Sequence, residues 1–395
     1  MSFQQINLLH VMYGGHSHNI PLGRLALKNR KIFFEYDSSF LELGLELSPF
    51  KLPLQRGAHA CDDQIFDGLF GVFNDSLPDG WGRSLLDRKL RKMHINPVSL
   101  TPLDRLSYVG SRGMGALIYQ PEIAEASAAI ENDDLDRIAD ECFQFQEHDD
   151  DGHIDELLAL NGSSAGARPK VLMGPWIIKF RSFVDPKDIG PLEYAYHLMA
   201  VEAGLDVPEA KIFKSKKCPG YFGVKRFDRV NGKSIHMHTL SGLLQIDHQV
   251  PSLDYEMLMK ATLWLTKDVR ECERQFRNAV FNVLAHNRDD HAKNFSFLMD
   301  ESGTWRVSPA YDLTFSGGPG GEHFMTVMGE GRDIKKSHLL KLAEVVSIKA
   351  KDAAEIIDRV CDAVARWRDF AGEAGVSRAS SKNVKVTLED FLSRF

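Results

Sequence analysis

The most constraining feature of this chain is an apolar helical stripe that stops abruptly in a run of polar and small residues. Phe276, Ala279, Val280, Val283 and Leu284 recur at helical spacing. Asn287-Arg288-Asp289-Asp290-His291-Ala292-Lys293-Asn294 comes next, and then Phe295, Phe297 and Leu298 in strand-like alternation. A dense cluster of ionisable and amide groups is thereby placed on a loop between two buried elements. Loops held by rigid flanks are where reactive groups are commonly carried.

The spacing within this loop adds chemistry. Asp289 and Asn294 are five residues apart. That is the separation in the H-R-D-x-x-x-x-N loop of protein kinases, where the Asp accepts a hydroxyl proton and the Asn holds Mg²⁺. Downstream, Trp305–Val307 reads as a strand, followed by Ser308-Pro309-Ala310-Tyr311-Asp312-Leu313. Asp312 lies 23 residues after Asp289, where kinases place the aspartate of their D-F-G metal site. Tyr-Asp-Leu stands in for Asp-Phe-Gly, so the likeness is one of role. Phosphoryl transfer needs hard oxygen ligands for Mg²⁺ and a carboxylate that orients the incoming hydroxyl and takes its proton. Taken alone, the Asp…Asn pair fits a polar turn, or a metal-binding loop of another kind, better than it fits a kinase.

Upstream elements change that balance. Lys179 ends the apolar strand Trp176-Ile177-Ile178. Such a lysine either snorkels outwards or, as in kinases, contacts the α- and β-phosphates and pairs with a helix glutamate. Glu193, near the start of the next helix, is the candidate partner; its other reading is a first-turn glutamate that suits the helix dipole. Before these strands lies Gly162-Ser163-Ser164-Ala165-Gly166-Ala167. Its small residues let backbone N–H groups approach phosphate oxygens. It is not G-x-x-x-x-G-K-[ST], hence no Walker A motif.

The rest of the chain supplies the frame. The first ~120 residues read as a mixed unit rich in short strands. Arg30–Tyr36 suits a strand, and Pro78-Asp79-Gly80 marks a turn before a short helix over Trp81–Leu90. From Glu131 to Asp151 the chain turns acidic. Leu135, Ile138, Ala139, Cys142 and Phe143 keep helical spacing there, and His148–Gly152 reads as an exposed loop. A solvated connector is the better reading of this stretch than a functional acidic tail. Two strands, Val171–Met173 and Trp176–Phe180, join at Gly174-Pro175; an amphipathic helix covers Pro191–Leu205 with a left-handed cap at Gly204; Tyr221–Val224 is another strand. The remainder is mostly helical. The 395 residues suggest two or three folding units, with expected bounds 1–125, 126–228 and 229–395. A net charge of −7 excludes a polycationic surface, although a local basic patch remains open. No apolar run approaches membrane-spanning length, and the N-terminus lacks a secretory signal pattern, so a cytoplasmic protein without membrane contact is expected. The five scattered cysteines offer neither a zinc site nor a disulfide framework. Gly317–Gly321 is either a flexible activation segment or, slightly better, a plain surface loop. His10, His16 and His18 read better as unrelated loop histidines than as a metal site.

Together these pieces resemble the HipA family, serine/threonine kinase toxins of bacterial toxin–antitoxin modules. The matching residues are G-S-S-A-G-A-R-P-K (162–170), W-I-I-K-F (176–180), the helix from Glu193 to Gly204 with V-P-E (207–209), V-K-R-F-D-R (224–229), N-R-D-D-H-A-K-N (287–294) and S-P-A-Y-D-L (308–313). F-N-D-S-L-P-D-G-W-G (73–82) and L-S-Y-V-G-S-R-G-M-G-A-L (106–117) resemble the family's N-terminal subdomain, so the likeness spans nearly the whole chain. The resemblance implies an α+β, protein-kinase-like two-lobed fold with a β-rich N-terminal subdomain and a mostly helical C-terminal lobe. It implies ATP and Mg²⁺ as cofactors, Asp289 as catalytic base, and Asn294 and Asp312 as metal ligands. Ser163, Ser164, Ala165, Gly166, Lys179 and His291 would then bind ATP, with Lys225, Arg226 and Phe227 at the adenine hinge. Ser163 matches a serine that some members autophosphorylate; a phosphate there adds about −1.5 to −2 charge where ATP phosphates sit. Ser164 is the adjacent alternative, and a serine that only satisfies backbone hydrogen bonds is the plain one. The implied partners are a helix-turn-helix antitoxin (HipB-like), operator DNA mainly through that antitoxin, and a protein substrate such as an aminoacyl-tRNA synthetase. Two other readings stand beside this one: a catalytically weak kinase-fold module joining antitoxin and DNA, and a small-molecule kinase on the same scaffold.

Overall fold

The computed structural model describes residues 4–123, 131, 134–147, 153–161 and 166–395. The chain forms two compact units, each assembled from separated segments. The first comprises Met1–Asp185, Arg226–Asp247 and Leu298–Thr304; the second comprises Pro186–Lys225, His248–Phe297 and Trp305–Phe395.

The first unit is built on an antiparallel five-stranded sheet. Its strands are β1 (Leu8–Tyr13), β2 (Ile20–Lys28), β3 (Lys31–Tyr36), β4 (Ala58–Ala60) and β5 (Leu117–Gln120), in the order β4-β3-β2-β1-β5. Alternation explains the sheet: Leu9, Val11 and Tyr13, like Ile32, Phe34 and Tyr36, turn inward and are buried. The strand expected from Arg30 begins one residue later. Asn29 and Arg30 both take left-handed backbone (φ 52° and 63°) and form the two-residue turn that pairs Lys28 with Lys31.

The longer helices of this unit, among the described residues, are α1 (Gly80–Lys92), α2 (Pro102–Val109), α3 (Leu135–Glu147) and α4 (Ile154–Asn161). In α3 the buried stripe is Leu135, Ile138, Cys142 and Phe145. Phe143, expected on that stripe, is half-buried and lies under the guanidinium of Arg181, 4.3 Å from the ring centre. The loop expected at 148–152 lies outside the described residues. The hairpin β6 (Lys170–Met173) and β7 (Trp176–Lys179) turns at Gly174, whose φ of +56° suits glycine.

The second unit is largely helical. It opens with α5 (Ile189–Glu202), then the hairpin β8 (Ala210–Phe213) and β9 (Tyr221–Lys225). Gly204 does take the left-handed cap (φ +81°), and the Leu205 N–H returns to the Ala200 carbonyl at 3.0 Å. Helices α6 (Tyr255–Thr266) and α7 (Val269–Leu284) start at Asp254 and Asp268, whose carboxylates accept backbone N–H groups of Glu256 and Arg270. α7 packs against α6 and against α9 (Ala350–Ala365), which follows α8 (Lys336–Glu344). α10 (Trp367–Glu373) lays Trp367 against Tyr196 of α5, 5.3 Å between ring centres, and α11 (Arg378–Arg394) closes the chain. The strand after the polar loop, Ser296–Met299, is buried on both faces rather than alternating.

Candidate active site

Helix α7 runs out at Leu284, and the polar segment begins at once. The Ala285 carbonyl accepts the Tyr196 hydroxyl at 2.7 Å, and His286 adopts left-handed backbone (φ 55°). Asn287 folds back on the helix: its N–H reaches the Asn282 carbonyl at 2.9 Å and its Nδ2 reaches Asn282 Oδ1 at 2.9 Å. The chain is thus turned out of the helix by hydrogen bonds to the helix's own last turns.

The two aspartates of the loop then part company. Asp290 is fully buried, while Asp289 is exposed. Asp290 Oδ2 accepts the Tyr255 hydroxyl at 2.7 Å and contacts His323 Nδ1 at 2.8 Å; its Oδ1 accepts the Phe324 N–H at 2.8 Å. Asn282 Nδ2 in turn donates to the Tyr255 hydroxyl oxygen at 3.1 Å. Burial, then the charge of Asp290, push the Tyr255 phenol well above its usual range, so it stays a donor. Asp290 is the anchor that holds Asp289 outward. The sequence reading did not single it out, because its partners Tyr255 and His323 are 35 and 33 residues away; the Asp-Asp doublet was the only local signal.

Beyond the anchor, a 3₁₀ turn over Ala292–Asn294 brings the ends of the motif together. Asn294 Nδ2 donates to the Asp289 carbonyl at 2.7 Å, which leaves Oδ1 as the side chain's acceptor atom. The Tyr311 hydroxyl donates to the Lys293 carbonyl at 2.6 Å, fixing Tyr311-Asp312 beside the loop. Asp312 is half-buried and takes left-handed backbone (φ 58°), a conformation uncommon outside glycine, asparagine and aspartate. His291 stands edge-on to His248 (5.3 Å) and to Phe324 (5.8 Å), and its buried Nδ1 has no hydrogen-bond partner. The Gly317–Gly321 stretch is not loose. The Arg288 guanidinium donates to the Gly321 carbonyl, and Arg332 donates to the Gly320 carbonyl at 3.0 Å.

The other expected residues fall as follows. Ser163, Ser164 and Ala165 lie outside the described residues. Gly166 has a φ of +107°. Lys179 closes β7, opposite Lys170 in the hairpin register. Glu193 is the fifth residue of α5 and only 3% exposed, past the first turn where a helix dipole acts. Lys225 is exposed and pairs with Glu209 at 3.1 Å. Phe227 is half-buried. The Arg226 side chain is engaged inside the first unit: Nε and Nη2 hold the two oxygens of Asp228 at 2.9 and 2.7 Å, and Nη2 also reaches the Gly113 carbonyl at 3.2 Å. Asp228 is fully buried and further accepts Arg229 Nη1 at 2.6 Å and the Gly115 N–H at 2.8 Å. Burial pushes its carboxyl up, but the hydrogen bonds and charges of Arg226, Arg229 and the Gly115 N–H outweigh that and hold it below the usual range. The V-K-R-F-D-R and R-G-M-G segments therefore meet on one carboxylate.

Two groups of metal-type ligands bear on the metal question. Among the described residues, His10, His16 and His18 do not gather into a metal-type cluster. Glu141, His153 and Glu156 do converge. There, however, the Arg137 guanidinium already bonds Glu141 at 2.6 Å and Glu156 at 2.8 Å, so the cation is supplied by the chain itself.

Comparison with known proteins places this arrangement. Residues 162–368, more than half of the chain, match the HipA-like C-terminal domain, and residues 12–120 match the HipA N-terminal domain. Y4dM of Sinorhizobium fredii, provisionally named a kinase, is 28% identical over 55% of this chain and 54% of its own length. A Haemophilus influenzae protein, also provisionally named a kinase, is 28% identical over 31% of this chain and 39% of its own. The chain thus spans about half or less of the length of these curated relatives. The HipA structure of Shewanella oneidensis MR-1, solved with HipB and its operator DNA, superposes with a TM-score of 0.71 at 17% identity, covering 98% of this chain and 96% of that one. At that identity the match speaks for the fold, which is the α+β HipA type. With both of its domain models matched in chain order, this chain belongs to the HipA family.

Proposed function

We propose that this chain is an ATP- and Mg²⁺-dependent protein serine/threonine kinase, acting as the toxin of a toxin–antitoxin module. The observation that carries the reading is the loop of the second unit. A buried Asp290 anchor leaves Asp289 exposed, and Asn294 is tied to the Asp289 carbonyl with its amide oxygen directed away from that bond. An exposed carboxylate on a fixed loop suits a base that orients an acceptor hydroxyl and takes its proton.

The donor set also fits the metal. Asn294 Oδ1 and the Asp312 carboxylate are hard oxygen donors of the kind Mg²⁺ takes. When bound, the ion supplies neutralisation of phosphate charge. By the family resemblance, ATP binding falls to Lys179 on β7, to Gly166 with Ser163, Ser164 and Ala165 before it, to His291 and to the Lys225–Phe227 segment. The family and the HipA–HipB–operator architecture of the Shewanella neighbour support a HipB-like helix-turn-helix antitoxin, with operator DNA engaged through it. A translation component such as an aminoacyl-tRNA synthetase is the proposed acceptor, with Ser163 as an autophosphorylation candidate.

The test is γ-phosphate transfer from ATP, to the protein itself or to a cell extract, for wild type and Asp289→Asn. Loss of the base lowers transfer by roughly 10²–10⁴-fold. Undiminished transfer by Asp289→Asn would remove Asp289 from the mechanism.

A further inference from the structure

The turn Pro78-Asp79-Gly80-Trp81, from the N-terminal motif, has no role in the chemistry above, yet it holds a segment that does. Asp79 sits at the N-cap of α1, where an aspartate ordinarily accepts N–H groups of its own helix. Here its side chain makes no such cap bond. Its carboxylate instead accepts the backbone N–H of Gly166. The Gly166 carbonyl is held from the other side by the Trp81 N–H at 3.1 Å. Both polar groups of the Gly166 peptide backbone are therefore gripped by one turn.

The fit leaves no room for side chains. A Cβ on Gly80 would lie 2.7 Å from the Ala167 Cα, and one on Gly82 would lie 2.5 Å from Asn161 Nδ2. The first turn of α1 thus abuts Asn161, which ends α4, as well as Gly166 and Ala167. Asn161 directly precedes the small-residue segment read as the phosphate loop, and Gly166 and Ala167 are that segment's last two residues.

We propose that Asp79 is a positioning residue for nucleotide binding. By fixing the Gly166 backbone, this turn sets the position of Gly166 and Ala167, the described part of the segment assigned to ATP. The inference rests on the kinase reading, and the experiment separates the two. Mg·ATP and Mg·ADP affinity is measured by calorimetry on the full chain for wild type, Asp79→Ala, Asp79→Glu and Asp79→Asn, together with KM for ATP and kcat in the transfer assay. Asp79→Ala raises the nucleotide Kd and KM by about tenfold, the scale of one lost charge-assisted hydrogen bond, with kcat changed far less. Asp79→Asn, which keeps a carbonyl acceptor, restores most of the affinity. Asp79→Glu keeps the charge but displaces the acceptor, falls between them, and serves where the alanine variant does not fold. Wild-type binding with unchanged Kd and KM in the alanine and glutamate variants overturns the positioning role and leaves the kinase reading intact. Failure of the wild type to bind either nucleotide overturns both.

Discussion

Asp228 and Asp290 are both fully buried carboxylates, one in each unit, and each ties a motif to distant chain. They are satisfied by different means. Asp228 is met by two guanidinium groups and one backbone N–H; Asp290 is met by a phenol, an imidazole and one backbone N–H. The first is an ionic clamp of one carboxylate between two guanidinium groups, which also donate to the Gly113 and Gly115 carbonyls. The second is a hydrogen-bonded anchor whose partners are mostly neutral. A buried charge left alone is costlier than a buried hydroxyl left alone, so the two hubs should fail to different extents.

The largest effect is expected at the clamp. Asp228→Ala leaves Arg226, 8% exposed, without its carboxylate, and should destabilise the first unit by about 3–5 kcal/mol. Denaturant unfolding measures this, and a loss under 1 kcal/mol would erase the distinction between the hubs. Removing a single donor from the anchor should cost less. Tyr255→Phe deletes the hydroxyl bonded to Asp290 at 2.7 Å and should cost about 1–3 kcal/mol. It should also lower transfer by letting the Asp289 loop shift; full activity would show that the anchor does not position Asp289.

Acid acts on both units at once. Burial, then the charge of His238, holds His236 in the first unit at about 3; burial, then the charge of Arg288, holds His286 in the second at about 4. Both lie below the ordinary imidazole value near 6.5. Below that value the unfolded chain binds protons that the folded chain refuses, so stability rises with pH across this window and is lost as pH falls towards these folded values. The denaturation midpoint should therefore drop between pH 7 and pH 5, and His286→Asn should flatten that drop; an unchanged slope would absolve His286.

Much of the frame was legible locally. The stripe on α7, the hairpin before Lys179, the cap at Gly204 and the helical C-terminal half follow from periodicity and turn chemistry, which act over a few residues. Phe145 replaced Phe143 in the core, because a helical stripe leaves more than one aromatic close enough to face inward. Which aspartate of the doublet faces solvent could not be read, because adjacent loop residues share composition and differ only in distant partners.

The sequence by itself determined the family, the succession of elements and the identities of the loop residues, because those signals are short-range or lie in motifs carried intact. Tertiary structure alone decided that Asp290 is the anchor and Asp289 the exposed group. It also decided that Asp228 joins Gly115 across 113 residues and that Asp79 grips Gly166 across 87. Such pairings leave no periodic trace. They arise because a buried carboxylate or peptide group must find partners wherever the fold brings them.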